Sequence, residues 1–409
     1  MADSFQGGRI TTLHNIVNRP LKELEEELVT FSSHTPMGLI LPSLYSELAG
    51  PALENIVREL ESVPYLTQIV IGLDRANEAE YREAVDFFSR LPQPHRILWN
   101  DGPNLLSIDR VLTEKGLSPT QLGKGRNVWY CMGYMLACNQ VEAVALHDCD
   151  IVTYERSLLA RLIYPVANPK FQFQFSKGYY SRIANKYMGG RVSRLLVTPL
   201  IRALEHTLDK NHQDYLLFMD SFRYPLAGEF SMRKDAMAGL RLPSDWGLEV
   251  GVLMEMLRNY STRRICQVDI ADIYDHKHQS LSQDNDQAGL SKMSIDITKA
   301  FFRKLATDGV VFNNGLFRTL KATYLRVALD LVDSYRCDAV MNGLEFDVHT
   351  EEQMVELFAE NLMKAGDVFL NKPLEQPFVP HWNRVVSAIP DIYDQLIEAV
   401  EADRAICGA

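Results

Sequence analysis

Short apolar runs alternate with amphipathic stretches through the first 150 residues, and this alternation constrains the fold more than any other feature. Met37 to Leu41 is continuously apolar and ends at Pro42, the pattern of a strand buried on both faces. Leu53, Ile56, Val57 and Leu60 follow at helical spacing, and Gln68 to Leu73 reads as a second strand ending at Asp74. Tyr81, Ala84, Val85 and Phe88 mark another helix, and Arg96 to Trp99 a third strand. A loop covers Asn100 to Gly125, a helix begins near Arg126, and a fourth strand, Val144 to Leu146, follows. Such alternation predicts an α/β fold, a Rossmann-type parallel sheet with helices on both faces. Ligands on these sheets lie beyond the carboxyl ends of the strands. Pro42, Asp74 and Asp148 all fall at such ends, so three distant segments can meet at one site.

The fourth strand runs into His147-Asp148-Cys149-Asp150. On a strand, carboxylates at i and i+2 face one side. Two hard oxygen donors there suit Mg²⁺ or Mn²⁺ carrying phosphates, so the first functional reading is a glycosyltransferase using a sugar nucleotide. Cys149, between the aspartates, reads as a small filler facing the core. Gly123-Lys124-Gly125 opens the preceding helix. Glycines there admit a ligand close to the backbone, and Lys124 can meet a phosphate or sugar hydroxyl. Asp275-His276-Lys277-His278 follows a later strand, Ile265 to Ile270, and offers a second metal ligand, His276 or His278. Trp246 and Glu249 lie in a small-residue stretch that a sugar can approach; Glu249 equally suits a helix N-terminus.

The net charge of −11 argues against general nucleic-acid binding. One segment stands apart: Ser176 to Arg194 holds Lys177, Arg182, Lys186, Arg191 and Arg194 and no acid. It reads as a pocket for a small anion such as a phosphorylated acceptor, against a plain solvated loop. No apolar run reaches the ~18 residues of a membrane span, and no basic-then-apolar leader opens the chain. The six cysteines lack zinc or CxxC spacing, which fits free thiols in a cytoplasm. Phe171 to Phe175 alternates like a strand, and Tyr224 to Met232 reads as a turn with a short strand. Val250, Leu253, Met254 and Leu257 form a helical core stripe. From about Ser291 the pattern is largely helical, with nothing catalytic in view. Residues 1–35 read as a lead-in, 36–290 as the catalytic domain (donor half to about 150, acceptor half after it), and 291–409 as a helical extension.

Several of these segments together resemble the glucosyl-3-phosphoglycerate synthase family of retaining GT-A glycosyltransferases. The resemblance runs from about Met37 to Leu281. It rests on Leu41-Pro42-Ser43-Leu44, Gly123-Lys124-Gly125, Asp148-Cys149-Asp150 and Gly189-Gly190-Arg191-Val192-Ser193. It continues in Pro225-Leu226-Ala227-Gly228-Glu229, Gly247-Leu248-Glu249-Val250-Gly251 and His276-Lys277-His278. The resemblance implies that Pro42, Leu44, Glu47 and Asp74 contact the donor nucleoside. Lys124, Asp148, Cys149 and Glu249 would line the donor sugar and diphosphate, and Asp150 and His276 would hold the metal. Gly190, Arg191, Val192 and Ser193, with Trp246 and His278 nearby, would take 3-phosphoglycerate. The Leu226 carbonyl would face the reacting carbon. The chain departs from the family pattern at Tyr45-Ser46-Glu47, Cys149, Trp246, Tyr274 (where an acceptor-binding Arg is expected) and His278.

The implied reaction moves glucose from UDP-glucose or GDP-glucose to the 2-hydroxyl of 3-phosphoglycerate, a step toward the compatible solute glucosylglycerate. A divalent cation would be the cofactor and a homodimer the assembly, without nucleic-acid or membrane partners. Three alternatives stand beside it. One is the same fold with GDP-mannose or free glycerate. Another is a metal-dependent nucleotidyltransferase, for which no Gly-rich triphosphate loop is present. The last is a regulator that binds a sugar nucleotide without turnover.

Overall fold

The computed structural model describes residues 6–119, 122–243, 245–275, 289–372 and 378–406. Its strands are β1 (Thr11–Leu13), β2 (Met37–Leu44), β3 (Leu66–Asp74), β4 (His95–Trp99), β5 (Ala143–Leu146), β6 (Phe175–Ala184), β7 (Tyr187–Met188), β8 (Phe230–Arg233), β9 (Leu242–Pro243), β10 (Ile265–Tyr274) and β11 (Phe378–Val379). One large sheet runs in the order β1-β10-β6-β8-β5-β2-β3-β4, with β7 on β6; β9 and β11 form a separate pair.

Residues of β2 and β3 alternate between two apolar layers. Ile40 and Val70 face one, with the helix Lys124–Cys138 and the C-terminal helices. Leu39, Leu41, Ile69 and Ile71 face the other, with the helices Pro51–Leu60, Glu78–Phe88 and Arg156–Ala167. A strand buried on both faces has no polar side to show, which is why these runs are continuously apolar.

The structure corrects the sequence reading of the fold in five places. The segment Asn100 to Gly125, read as a loop, contains the helix Pro103–Glu114. The sheet is mixed: β8 runs antiparallel to both β5 and β6. Pro42 lies inside β2, opposite Gly72 of β3. Its missing N–H is tolerated because the β5 pairing on the other side ends at Ile40. Phe171 and Phe173 precede β6, in a turn whose rings pack edge-on against each other and Tyr164. The lead-in contributes β1, which extends the sheet edge parallel to β10.

The C-terminal helices are fastened to the sheet layers at specific points. Trp382 stacks on Trp129 at 4.3 Å and donates to its carbonyl at 2.9 Å. Asp403 of the last helix accepts from the backbone N–H groups of Asn104 and Leu105, at 3.1 and 3.2 Å. It thereby satisfies exposed donors at the start of the helix Pro103–Glu114. No described helix is long and apolar enough to cross a membrane.

Candidate active site

Strand β5 ends at Leu146, so the two aspartates stand in the turn just beyond it and not on the strand itself. The alternation survives the strand end. His147 and Cys149 are buried, whereas Asp148 and Asp150 are only partly covered. Cys149 packs in the core, and burial pushes its thiol pKa up. It is the filler that the sequence suggested.

Lys124 begins the helix Lys124–Cys138 and reaches over this turn. Its Nζ lies 2.6 Å from Asp148 Oδ1 and 3.0 Å from Glu249 Oε1. Glu249 sits in the first turn of the helix Leu248–Asn259, so it serves the helix N-terminus and the lysine together. Burial opposes the Lys124 ammonium, but the two carboxylates overcome that and hold its pKa above the ordinary lysine value. Asp150 behaves oppositely. Burial and then the Asp148 charge push its pKa up to about 7, with Lys124 pulling the other way and Glu229 and Glu47 adding to the rise. Carboxylates gathered so closely favour a cation among them, and their oxygen chemistry fits Mg²⁺ or Mn²⁺. His276 and His278, the other candidates in this role, lie outside the described residues.

The nucleoside candidates are set by strand register. Pro42 pairs with Gly72 and Leu44 with Asp74. Pro42, Leu44 and Asp74 are partly exposed at these strand ends, and Glu47 follows on a short turn. Asn100 donates to Asp74 Oδ1 at 2.7 Å. Burial raises the Asp74 pKa, while hydrogen bonds from Asn100 and Asn127 resist the rise.

Leu226 lies in the turn before β8, half buried. A Cβ at Gly228 of that turn would fall 2.3 Å from Asp148 Oδ2, so any larger residue there would displace the carboxylate. Two residues that the sequence reading named without this role hold the turn. Lys177, fully buried on β6, donates to the Ala227 carbonyl and lies over the Phe230 ring. Burial lowers its pKa to about 8 against the pull of Glu249 and Glu229. Glu229, also fully buried, accepts from Tyr274 at 2.6 Å and Tyr180 at 2.7 Å. The otherwise uncharged stretch around it, Phe175 to Ser181, was the signal that could have separated Lys177 from the basic segment.

The basic segment does not form one pocket. Lys177 is in the core and Lys186 is exposed on the β6–β7 turn. Arg194 is buried, donating to the Gly189 and Met188 carbonyls and to Glu351 at 2.8 Å. Arg191 remains half exposed. Alternation along a strand and a wide helical turn, Val192–Val197, sends neighbouring cations in different directions. Gly190 adopts φ +71°, a left-handed backbone that glycine takes without strain. Val192 and Ser193 are buried, and the Ser193 hydroxyl has no hydrogen-bond partner among the described residues. An orphan hydroxyl of this kind costs about 1–3 kcal/mol unless something meets it.

Trp246 is half buried just before the helix that carries Glu249. Tyr274 is 1% exposed and stacked on Tyr180 at 3.7 Å, so it builds the floor of the site. In register it sits opposite Arg182, whose guanidinium donates to the Tyr224 hydroxyl at 3.2 Å.

The mixed sheet, with the Lys124–Asp148–Glu249 cluster beyond the end of β5, is that of a glycosyltransferase of the GT-A type. No protein-family model matches the chain. It is 46% identical over 405 residues to a glucosyl-3-phosphoglycerate synthase of Persephonella marina, covering 99% of this chain and all of that one. It is 39% identical over 399 residues to one of Methanococcoides burtonii, with 96% of each covered. The chain therefore belongs to the glucosyl-3-phosphoglycerate synthase family. Among solved structures it resembles the Mycobacterium tuberculosis glucosyl-3-phosphoglycerate synthase in complex with Mn²⁺, UDP-glucose and phosphoglyceric acid. The TM-score is 0.54 at 18% identity, over 76% of this chain and 90% of that one. The mannosyl-3-phosphoglycerate synthase of Rubrobacter xylanophilus matches with TM-score 0.54 at 19% identity, over 74% and 83%.

Proposed function

We propose that this chain transfers glucose, with retention, from a nucleoside diphosphate glucose (UDP- or GDP-glucose) to the 2-hydroxyl of 3-phosphoglycerate. The observation that carries the reading is the 46% identity to a named synthase along nearly the whole chain. The Lys124–Asp148–Glu249 cluster, the half-exposed Arg191 and the orphan Ser193 hydroxyl support it from the site itself.

The residues divide the work as follows. Pro42, Leu44, Glu47 and Asp74 receive the nucleoside. Asp148 and Glu249 hold sugar hydroxyls, and Lys124 turns its ammonium toward the diphosphate. Asp150, with His276, would hold a Mg²⁺ or Mn²⁺, which supplies charge neutralisation for the departing diphosphate. The Gly190–Ser193 loop would fix the acceptor, with Trp246 and His278 assigned to the same role by the resemblance alone, and fixing two reactants together removes much of an entropic barrier. Near the reacting carbon, Glu229 is held by two tyrosines, and Asp148 and Glu249 by Lys124. With these carboxylates engaged, we read the transfer as front-face. The bond from C1 to the β-phosphate oxygen breaks, the bond from C1 to the acceptor oxygen forms, and the hydroxyl proton passes to the leaving phosphate. The Leu226 carbonyl, steadied through Lys177 and Ala227, would face that carbon.

The test pairs UDP-glucose, GDP-glucose and GDP-mannose with 3-phosphoglycerate and D-glycerate, with and without EDTA, reading product mass. Glucosyl-3-phosphoglycerate that is lost with EDTA is the expected product. A mannosyl product would transfer the reading to the chemistry named for the Rubrobacter neighbour, and activity restricted to free glycerate would overturn the phosphate pocket. Nucleotide binding without any product would leave the regulator reading.

We place the enzyme in a reducing cytoplasm, supported by free thiols at all five cysteines among the described residues. A homodimer is the proposed assembly. Its support is the exposed Val340 and Met341 at the end of the long helix Asn314–Met341, and light scattering tests it.

A further inference from the structure

We infer that Glu351, in the C-terminal extension, is a positioning residue for acceptor binding, and that it acts through Arg191. The inference rests on the assignment of Arg191 to the acceptor. Glu351 lies in the first turn of the helix Val348–Asn371, 160 residues away from Arg191, and its side chain is only 6% exposed. Its Oε1 accepts from Arg191 Nε at 2.9 Å and its Oε2 from Arg194 Nη1 at 2.8 Å. Arg194 in turn grips the Gly189 and Met188 carbonyls, which lead into the acceptor loop. A second contact ties the same two regions, because Glu345 donates its N–H to the Lys186 carbonyl at 2.8 Å.

The geometry gives the carboxylate a specific task. It occupies the Nε edge of the Arg191 guanidinium, and among the described residues nothing bonds the Nη groups. A planar fork held along one edge presents the rest in a fixed direction, which suits a phosphate or carboxylate. Without Glu351 the Arg191 side chain keeps its charge and loses its direction.

Charge and orientation make opposite predictions. Removing the negative charge of Glu351 raises the local positive charge, which by Coulomb attraction alone would tighten an anionic acceptor. Loss of orientation weakens it. For E351Q we expect the 3-phosphoglycerate KM to rise about tenfold, the loss of one charge-assisted hydrogen bond. The donor KM should stay close to wild type while the melting temperature falls, because the buried Arg194 loses its partner charge, and E351D should recover part of the loss. In an R191A background, E351Q should add much less than in wild type, since the group it orients is gone and only its bond to Arg194 is left to lose. An unchanged or lowered acceptor KM in E351Q would overturn the inference. So would a rise that persists in full in the R191A background, or a loss of donor and acceptor binding together, which would make the pair a fold element. R191A alone is the separate control: if it leaves the acceptor KM unchanged, the Arg191 assignment fails first.

Discussion

The proposed donor and acceptor sides of this site are built in different ways. The donor side is a product of strand register. Leu44 and Asp74 are paired across β2 and β3, and the Asp148–Asp150 turn closes the next strand in the sheet. Every one of those positions follows from where an apolar run stops. The acceptor side is a loop held from outside the sheet. Arg191 and Arg194 are locked by Glu351, which arrives on a helix far along the chain. Residues at the ends of paired strands are fixed rigidly and locally, whereas a clamped loop makes recognition depend on a distant element.

Substitutions should separate the two sides. The largest effect is expected for Asp150→Ala, with turnover reduced by more than about a thousandfold and metal-dependent nucleotide binding lost to calorimetry. Retained activity would detach the carboxylate pair from the chemistry. Lys124→Ala should lower kcat by about a hundredfold or more, since it removes an ammonium aimed at a developing charge and leaves Asp148 and Glu249 repelling each other. A change in donor KM alone would demote Lys124 to ground-state binding. Arg191→Ala belongs to the other side: the acceptor KM should rise by about ten- to a hundredfold with the donor KM unmoved. An equal rise for donor and acceptor would erase the division.

The smallest expected effect is a pH dependence confined to the donor side. The Asp150 pKa is raised to about 7 by burial and by Asp148. A cation must displace the proton held below that pH, so Mn²⁺ affinity should rise through neutrality and level off above it. Asp150→Asn should flatten the profile. A wild-type profile already flat through neutrality would show that the carboxylate binds its metal without proton competition.

The sequence made the donor side legible because it follows the period-2 logic of strands and the rule that ligands gather at their carboxyl ends. Asp148, Asp150 and Lys124 could be singled out without any coordinates. Three features escaped. Pro42 fell inside its strand because pairing with β5 stops two residues earlier, a fact about register and not about proline. The basic segment looked like one surface because charge along a chain does not say which way each side chain turns; Lys177 proved to be core. Glu351 was invisible because a carboxylate in a helical tail is ordinarily a solvated group, and only folding brings it to Arg194. The family resemblance named the loop at Gly190 to Ser193 but carried no information about what holds it.

Under the proposed function, a phosphorylated acceptor is recognised at Arg191, separately from the donor. The most direct measurement compares kcat/KM for 3-phosphoglycerate and D-glycerate in wild type and in Arg191→Ala. The account predicts a wild-type preference for the phosphorylated acceptor that collapses in the variant, with donor kinetics unchanged. A preference that survives loss of the guanidinium would contradict it.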